Sequence, residues 1–192
     1  MTAADKITAI ILAGGKSSRM GTEKGLVSFN GKMLVQHVVD AVKKITSSII
    51  IITQNPVYEK LGYPCYPDIY KDRGALGGIY TGLINSSTQK NILVGCDMPF
   101  LSAPLLNGLI ENCDGVDALL TIHKDKEEPL CSVYDKSCIP HFKTLLEQDR
   151  LKITDALAGL KTRTISFDKE EWFIGNEFAN INSIEELRKY EG

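Results

Sequence analysis

A glycine-rich segment near the N-terminus carries residues suited to binding phosphate groups. Gly14 and Gly15 follow directly on a short apolar run, and Arg19 and Lys24 come soon after them. Glycine has no Cβ, so its backbone N–H groups can approach phosphate oxygens closely, and the two cations supply opposite charge. A surface turn with scattered basic residues would have the same composition. The glycines alone therefore leave both interpretations open.

Spacing excludes two common phosphate-binding loops. A P-loop requires G-x-x-x-x-G-K followed by Ser or Thr, but five residues separate Gly25 from Gly31, and Met33 stands where the hydroxyl is needed. The G-x-G-x-x-G pattern of dinucleotide-binding loops does not occur in the chain either. Any phosphate site here must therefore belong to another class.

Asp97 is the candidate metal ligand. It follows the apolar run Ile92–Gly95 and comes shortly before Pro99, which forces the chain out of regular structure at the strand end. A hard cation that keeps most of its waters needs only one or two carboxylates in addition to substrate phosphates. The alternative is a structural carboxylate that accepts backbone N–H bonds or caps the helix near Ser102.

Three asparagines are weaker candidates for ligand binding. Asn55 follows a predicted strand and could reach a nucleotide at its carboxyl end, although asparagine before proline is also a common turn. Asn180 and Asn182 alternate as in an extended segment, so their side chains would face one side together. Capping the final helix is an equally good use of Asn182.

The elements that must position these residues alternate along the chain. Short runs of branched apolar residues are separated by helix-like stretches, which is typical of a mostly parallel sheet covered by helices. The predicted strands are Ile7 to Leu12, Ile49 to Thr53, Cys65 to Tyr66, Ile92 to Gly95, Ala118 to Ile122, Leu130 to Tyr134 and Thr164 to Phe167. The predicted helices are Met33 to Lys44, Ala75 to Asn85, Ser102 to Asn112, Ser137 to Gln148 and Ser183 to Tyr190. The order predicts an α/β fold with three layers, α/β/α, and a Rossmann-like sheet.

Length and charge favour one compact unit. The chain has 192 residues, of which 43% are hydrophobic, and no repeat or linker interrupts it, so residues 1–192 are predicted to form a single domain. A formal net charge of −2 gives no basic surface for nucleic acid. No apolar run approaches the ~20 residues that cross a bilayer, and no leader pattern is present. We therefore expect a cytoplasmic protein that binds neither nucleic acid nor membrane.

The cysteines and histidines do not suggest a further reactive site. The five cysteines are an odd number without a C-x-x-C pair, so we expect reduced and mostly buried thiols, with neither a disulfide framework nor a zinc cluster. His37 falls inside a predicted helix and is expected to be packed or hydrogen-bonded. His123 and His141 are expected to be solvated, and a charged loop is expected from Lys124 to Glu128.

The segment from Leu12 to Lys24 resembles the L-A-G-G-x-S-x-R-M-G-x-x-K signature of the molybdenum cofactor guanylyltransferases. Further matching segments are Asn30 to Leu34, Asp68 with Gly74 to Gly78, Cys96 to Leu101 and Asn180 to Ser183, so the resemblance covers most of the chain. Met33 and Ala75 stand where the family has prolines, and Glu23 where aspartate is commoner.

The resemblance implies a sheet of the nucleotide-diphospho-sugar transferase type and a specific reaction. GMP would pass from GTP to the terminal phosphate of molybdenum-molybdopterin, with release of pyrophosphate. The residues implied as catalytic are Arg19, Lys24 and Asp97, with Mg²⁺ on Asp97. Those implied as substrate-binding are Leu12, Ala13, Gly14, Gly15, Lys24, Asn55, Asp68, Asp97, Asn180 and Asn182. Molybdoenzymes or their chaperones would be partners.

Alternatives to this reaction remain open. Asp68 would contact guanine or ribose by analogy, or form a turn after Pro67. Related cytidylyltransferases read L-A-A-G where this chain has L-A-G-G, so Gly14 occupies the position at which the two groups differ. The same scaffold could use CTP or a sugar phosphate, or could serve as a nucleotide-binding regulator without turnover.

Overall fold

The computed structural model of the chain describes residues 7–14 and 23–190. The strands are β1 (Ile7–Leu12), β2 (Ser28–Phe29), β3 (Lys32–Met33), β4 (Ile49–Ile52), β5 (Cys65–Tyr66), β6 (Lys90–Gly95), β7 (Ala118–His123), β8 (Lys126–Asp135) and β9 (Thr162–Ser166). The α-helices are α1 (Leu34–Val42), α2 (Gly74–Asn85), α3 (Ala103–Glu111), α4 (Ile139–Glu147), α5 (Ile153–Leu157) and α6 (Ile184–Arg188). Short 3-10 helices lie at Lys24–Leu26, Pro56–Leu61 and Lys136–Cys138.

A seven-stranded sheet forms the centre, in the order β5-β4-β1-β6-β8-β7-β9. Among its described strands, β8 alone runs antiparallel to the others. One buried apolar cluster packs α1 and α3 on one face, and a second packs α2, α4 and α5 on the other. The predicted three-layer, mostly parallel α/β/α architecture is confirmed. None of the described helices is long and apolar enough to cross a membrane.

The hairpin between β7 and β8 differs from the predicted charged loop. Lys124 and Asp125 alone form the turn, with φ of 49° and 61°, and β8 already begins at Lys126. His123 pairs with Lys126, and backbone hydrogen bonding between the strands continues through the charged residues. Charge along a strand does not prevent pairing when one face of the hairpin meets solvent. The prediction of a loop from Lys124 to Glu128 was therefore wrong.

The histidines are all held by neighbours. The His37 ring lies 2.8 Å from the Phe29 carbonyl oxygen, as expected. The prediction that the other two are solvated was wrong: the His123 side chain is only 13% exposed and pairs with Asp168, while His141 bonds to the carbonyl oxygen of Ala156. The partners Asp168 and Ala156 lie 45 and 15 residues further along the chain, so these contacts form only when the chain folds.

Helix α2 approaches the central strand closely because it presents glycines to it. A Cβ added at Gly78 would lie 3.1 Å from Leu12 Cδ2, and one at Gly82 would lie 2.5 Å from Ile10 Cγ2. The contact of α2 with β1 therefore requires the absence of a side chain at Gly82, and a Cβ at Gly78 would force Leu12 to shift. This explains why a segment with three glycines at Gly77, Gly78 and Gly82 is helical.

Gly82→Ala should destabilise the protein although alanine is the better helix former. The propensity gain is about 1 kcal/mol, whereas forcing a methyl group into a packed core costs about 1 to 3 kcal/mol, and fully buried Ile10 cannot move aside. We expect a net loss in the free energy of unfolding, measured by urea denaturation. Ile84→Ala, at a position 42% exposed on the same helix, is the control and should change stability by less than about 0.5 kcal/mol. Equal stability of Gly82→Ala and the wild type would contradict the packing argument.

Candidate functional site

The candidate site lies at the carboxyl edge of the sheet. Cys96 N–H donates to the Leu12 carbonyl at 3.0 Å, and Ala13 N–H donates to the Ile52 carbonyl at 2.9 Å. These bonds continue the pairing of β1 with β6 and β4 past the strand ends. The glycine segment after β1 and the aspartate after β6, Asp97, therefore leave the sheet side by side.

Lys24, Asp97 and Asn182 meet at this edge. The Lys24 ammonium donates to Asp97 Oδ2 at 3.2 Å and to Asn182 Oδ1. The Lys24 and Asp97 side chains are 31% and 15% exposed. Ile181 N–H donates to the Asp97 carbonyl at 2.9 Å, and Asn182 Nδ2 donates to the Asn180 carbonyl at 3.0 Å. Three segments that are far apart in sequence thus form one polar cluster, the Lys24 cluster.

Packing beneath Lys24 depends on Gly25, which sequence reasoning did not single out. A Cβ at Gly25 would lie 2.6 Å from Tyr58 Oη and 3.0 Å from Cys96 Sγ. Tyr58 is fully buried and Cys96 is 8% exposed, so neither can yield easily. The lysine segment can lie on these two side chains because residue 25 has none of its own.

Cys96 is not a nucleophile despite its place beside Asp97. Burial, above all, raises the pKa of its thiol to about 12. The thiolate is the reactive form of cysteine, so this side chain is inert at neutral pH. All five cysteines are free, and Cys65 alone is not fully buried, as the sequence predicted.

Gly95 is a second residue that the sequence analysis passed over. A Cβ there would lie 2.7 Å from Asp97 Oδ1. The Asp97 carboxylate can fold back against the strand end only because this position has no side chain. Its place in the sequence, two residues before the candidate ligand Asp97, is the signal that could have pointed to Gly95.

Asp68 lies beside Gly14 and Gly78, on the β4 and β5 side of the edge. A Cβ added at Gly14 would lie 3.9 Å from Asp68 Oδ2, and one added at Gly78 would lie 3.7 Å from Asp68 Oδ1. Oδ1 is buried and has no hydrogen-bond partner among the described residues, and burial raises the pKa of this carboxyl group. A buried acceptor without a donor is unusual in proteins, and the other oxygen of this carboxylate, Oδ2, faces Gly14, where a Cβ would meet no described atom closer than 3.9 Å. The geometry fits a ligand that brings hydrogen-bond donors.

The remaining predicted residues stand apart or lie outside the described residues. Asn55 Oδ1 accepts from Val57 N–H at 2.9 Å and so caps a 3-10 helix. This is the turn arrangement expected for asparagine before proline, and its contact with a ligand stays a prediction. Gly15 and Arg19 fall in the segment 15–22, outside the described residues.

The acidic groups of the described residues permit one kind of metal site. No group of three or more His, Cys, Asp or Glu side chains in 7–14 and 23–190 is arranged to hold an ion. Asp97 is the carboxylate in the Lys24 cluster. A single carboxylate suits Mg²⁺, which retains waters and binds substrate phosphate, but not a metal held by protein ligands alone, such as structural zinc.

Comparisons with known proteins agree with this arrangement. The sequence model of the MobA-like NTP transferase domain matches residues 9–162. A probable molybdenum cofactor guanylyltransferase of Flavobacterium johnsoniae is 39% identical over 184 residues, which cover 95% of each chain. A molybdenum cofactor guanylyltransferase of Desulfosudis oleivorans is 33% identical, over 97% of this chain and 95% of that one. The crystal structure of molybdopterin-guanine dinucleotide biosynthesis protein A from Archaeoglobus fulgidus superposes with a TM-score of 0.79 at 27% identity, covering 95% of both chains.

Gly25→Ala should destabilise the protein by about 1 to 3 kcal/mol, because the new methyl group overlaps buried atoms at Tyr58 and Cys96. Tyr58→Phe removes the nearest of them. In the double variant part of the loss should return, with a coupling energy of at least about 0.5 kcal/mol in a double-mutant cycle. Urea denaturation of the four proteins gives these values.

Gly14→Ala is the matched control, since a Cβ there meets no described atom closer than 3.9 Å. Its free energy of unfolding should stay within about 0.5 kcal/mol of the wild type. Additive losses in Gly25→Ala and Tyr58→Phe would show that the lysine segment does not rest on Tyr58.

Proposed function

The chain belongs to the MobA-like NTP transferase family, and from this premise we propose that it transfers GMP from GTP to the terminal phosphate of molybdopterin, releasing pyrophosphate. The names of the relatives, molybdenum cofactor guanylyltransferases, support the choice of substrates. The observation that carries the proposal is the contact of Lys24 with Asp97 at the sheet edge. This contact supports the proposal because a cation and a carboxylate that could hold Mg²⁺ lie together beside a glycine segment, as nucleotidyl transfer requires.

The acceptor needs no general base. A phosphate monoester has a second pKa near about 6, so its oxygen is already an anionic nucleophile at neutral pH. The oxygen attacks the α-phosphorus in line with the leaving pyrophosphate, and the protein contributes positioning and charge stabilisation. The ammonium of Lys24 donates to non-bridging phosphate oxygens as negative charge develops on the leaving group. Asp97 and Asn182 hold that ammonium in place before the substrate arrives.

Asp97 is the residue that would hold Mg²⁺. When bound, the ion neutralises phosphate charge and acts as a Lewis acid. The Asp97 carboxylate sits against Gly95 at the strand end, so its position is set by the sheet. Gly14 and Gly15 would offer backbone N–H groups to the phosphates, and Arg19 a second positive charge.

Asp68 is suited to recognising guanine. Guanine carries a ring N–H and an amino group side by side, and a carboxylate can accept both hydrogen bonds. Cytosine lacks this pair of donors. The Asp68 carboxylate supplies the acceptors: its buried Oδ1 has no partner among the described residues, and its Oδ2 faces Gly14, which leaves space for a base. Contacts of Asn180 and Asn182 with the acceptor, partnership with molybdoenzymes or their chaperones, and a cytoplasmic location stay predictions.

The proposal is tested by measuring pyrophosphate release with GTP, CTP and ATP, each with molybdenum-molybdopterin or with a sugar 1-phosphate, and by identifying the product by mass spectrometry. We expect turnover with GTP and molybdopterin, giving the guanine dinucleotide. Preference for CTP or for a sugar phosphate would overturn the assignment in favour of another transferase. Tight binding of GTP without pyrophosphate release would indicate a regulator.

Replacing either member of the Lys24–Asp97 pair should reduce turnover by an order of magnitude or more, a loss of at least about 1.4 kcal/mol in transition-state stabilisation. Lys24→Ala removes the phosphate-binding cation, and Asp97→Asn keeps the shape but removes the charge that holds Mg²⁺. Raising the magnesium concentration should not restore Asp97→Asn. Lys32→Ala is the control, because Lys32 is 55% exposed and paired with Asp40. Rates of Lys24→Ala within twofold of the wild type would remove Lys24 from the site.

Gly14→Ala should select against guanine. Its φ lies outside the left-handed region and its Cβ has space in the described structure, so the backbone tolerates alanine. The methyl group would instead meet a purine held at Asp68, costing roughly 1 to 3 kcal/mol of recognition, while CTP should suffer less. The measurement is kcat/KM for GTP and for CTP in both proteins. An unchanged ratio between the two substrates would contradict base selection by Gly14.

A further inference from the structure

A cavity opens at the carboxyl edge of the sheet, on the opposite side of Asp97 from Asp68. It has a volume of about 280 Å³ and lies at the β7–β8 turn. Strand β8 runs antiparallel to β6, so β8 begins at the same edge of the sheet at which β6 ends. Asp97 follows the end of β6 and therefore lies at this edge too. The cavity is lined by His123, Lys124, Lys126, Glu128, Phe178 and Ala179.

The cavity is joined to the Lys24 cluster by a short stretch of chain. Ala179 lines its wall, and two residues later Ile181 donates to the Asp97 carbonyl. Two residues of extended chain span at most about 7 Å. A ligand with one end in the cavity can therefore extend its other end to Asp97.

His123 forms a fixed part of the cavity wall. Its Nδ1 lies 2.6 Å from Asp168 Oδ1, and the other oxygen of Asp168 accepts from Lys124 N–H at 3.1 Å. The rings of Phe173 and Phe178 each lie 5.3 Å from the imidazole, centroid to centroid. The ring cannot turn freely, so the cavity has a preformed aromatic side.

Glu128 supplies an unused acceptor in the same cavity. Its side chain accepts no hydrogen bond from the described residues, although it is partly buried and burial raises its pKa. The charges of His123 and Lys126 act in the opposite direction and favour the carboxylate. A partly buried carboxylate beside aromatic rings is suited to a flat heterocycle with two adjacent hydrogen-bond donors.

We propose that this cavity binds the pterin end of the acceptor, with the Glu128 carboxylate accepting hydrogen bonds from the ring N–H and the 2-amino group of its 2-amino-4-oxopyrimidine edge. The ring lies against Phe178 and His123, and Lys124 and Lys126 at the rim attract the anionic acceptor. The inference rests on the proposed function and extends it to the second substrate. Each substrate is then recognised by its own carboxylate. Asp68, after β5, binds guanine, and Glu128, on β8, binds the pterin.

The first test compares Glu128→Gln with Glu127→Gln, a control at the neighbouring exposed position on the same strand. With molybdenum-molybdopterin as the varied substrate, Glu128→Gln should raise the acceptor KM about tenfold or more. The GTP KM and the thermal midpoint should stay near wild-type values, and Glu127→Gln should change none of the three. A rise in the GTP KM instead would assign the cavity to the nucleotide and overturn the proposal.

The second test uses binding alone and needs no turnover. Pteridine fluorescence reports the affinity of 6-hydroxymethylpterin and of 6-hydroxymethyllumazine, in which an oxo group replaces the 2-amino group. The wild type should prefer the pterin by about tenfold or more. Glutamine donates one hydrogen bond and accepts one, so Glu128→Gln should lose or reverse this preference. The same preference in both proteins would overturn the proposal.

The two proposals fail in different ways. If the wild type makes the guanine dinucleotide but Glu128→Gln leaves the acceptor KM and the pterin preference unchanged, the cavity assignment is wrong and the function stands. If the wild type shows no pterin preference and turns over only with another acceptor, the proposed function fails and takes the cavity assignment with it.

Discussion

The in-register parallel pairing of β1 with β6 is the constraint on which the site depends. Leu12 lies opposite Gly95, and the hydrogen bond from Cys96 to Leu12 carries the pairing one residue further. A shift of one residue would turn every side chain of the strand to the other face, and the two apolar clusters would lose their members. Burial on both faces of β1 thus fixes where Gly14 and Asp97 emerge.

Missing side chains shape this edge as much as charged ones do. Gly25 lets the lysine segment rest on Tyr58, Gly95 admits the Asp97 carboxylate, and Gly78 brings α2 against Leu12. A Cβ at any of these glycines would crowd the neighbouring side chain, most severely at Gly25, where Tyr58 and Cys96 are buried. Close packing therefore helps to position the charged groups. Pre-positioned charge stabilises a transition state without reorganisation during the reaction.

The antiparallel strand β8 extends the functional edge of the sheet beyond Asp97. Strand β8 returns between β6 and β7, which brings the turn at Lys124 and Asp125 to the edge that also carries Asp97. The segment ending in Asn182 closes the space between them by bonding to Lys24. In the proposed function, the nucleotide, the reacting phosphates and the acceptor would therefore bind one after another along this edge of the sheet.

The sequence by itself determined the alternation of strands and helices and the candidates Lys24 and Asp97, because branched runs, glycine spacing and proline act on residues close together in the chain. It did not reveal that Lys24 meets Asn182, 158 residues later, or that Asp168, 45 residues after His123, holds that ring in a cavity. It also missed that Lys126 to Glu128 pair as a strand. Local patterns report which residues share a face of one element. Which elements share an edge is decided only when the whole chain buries its apolar surface on both sides of one sheet.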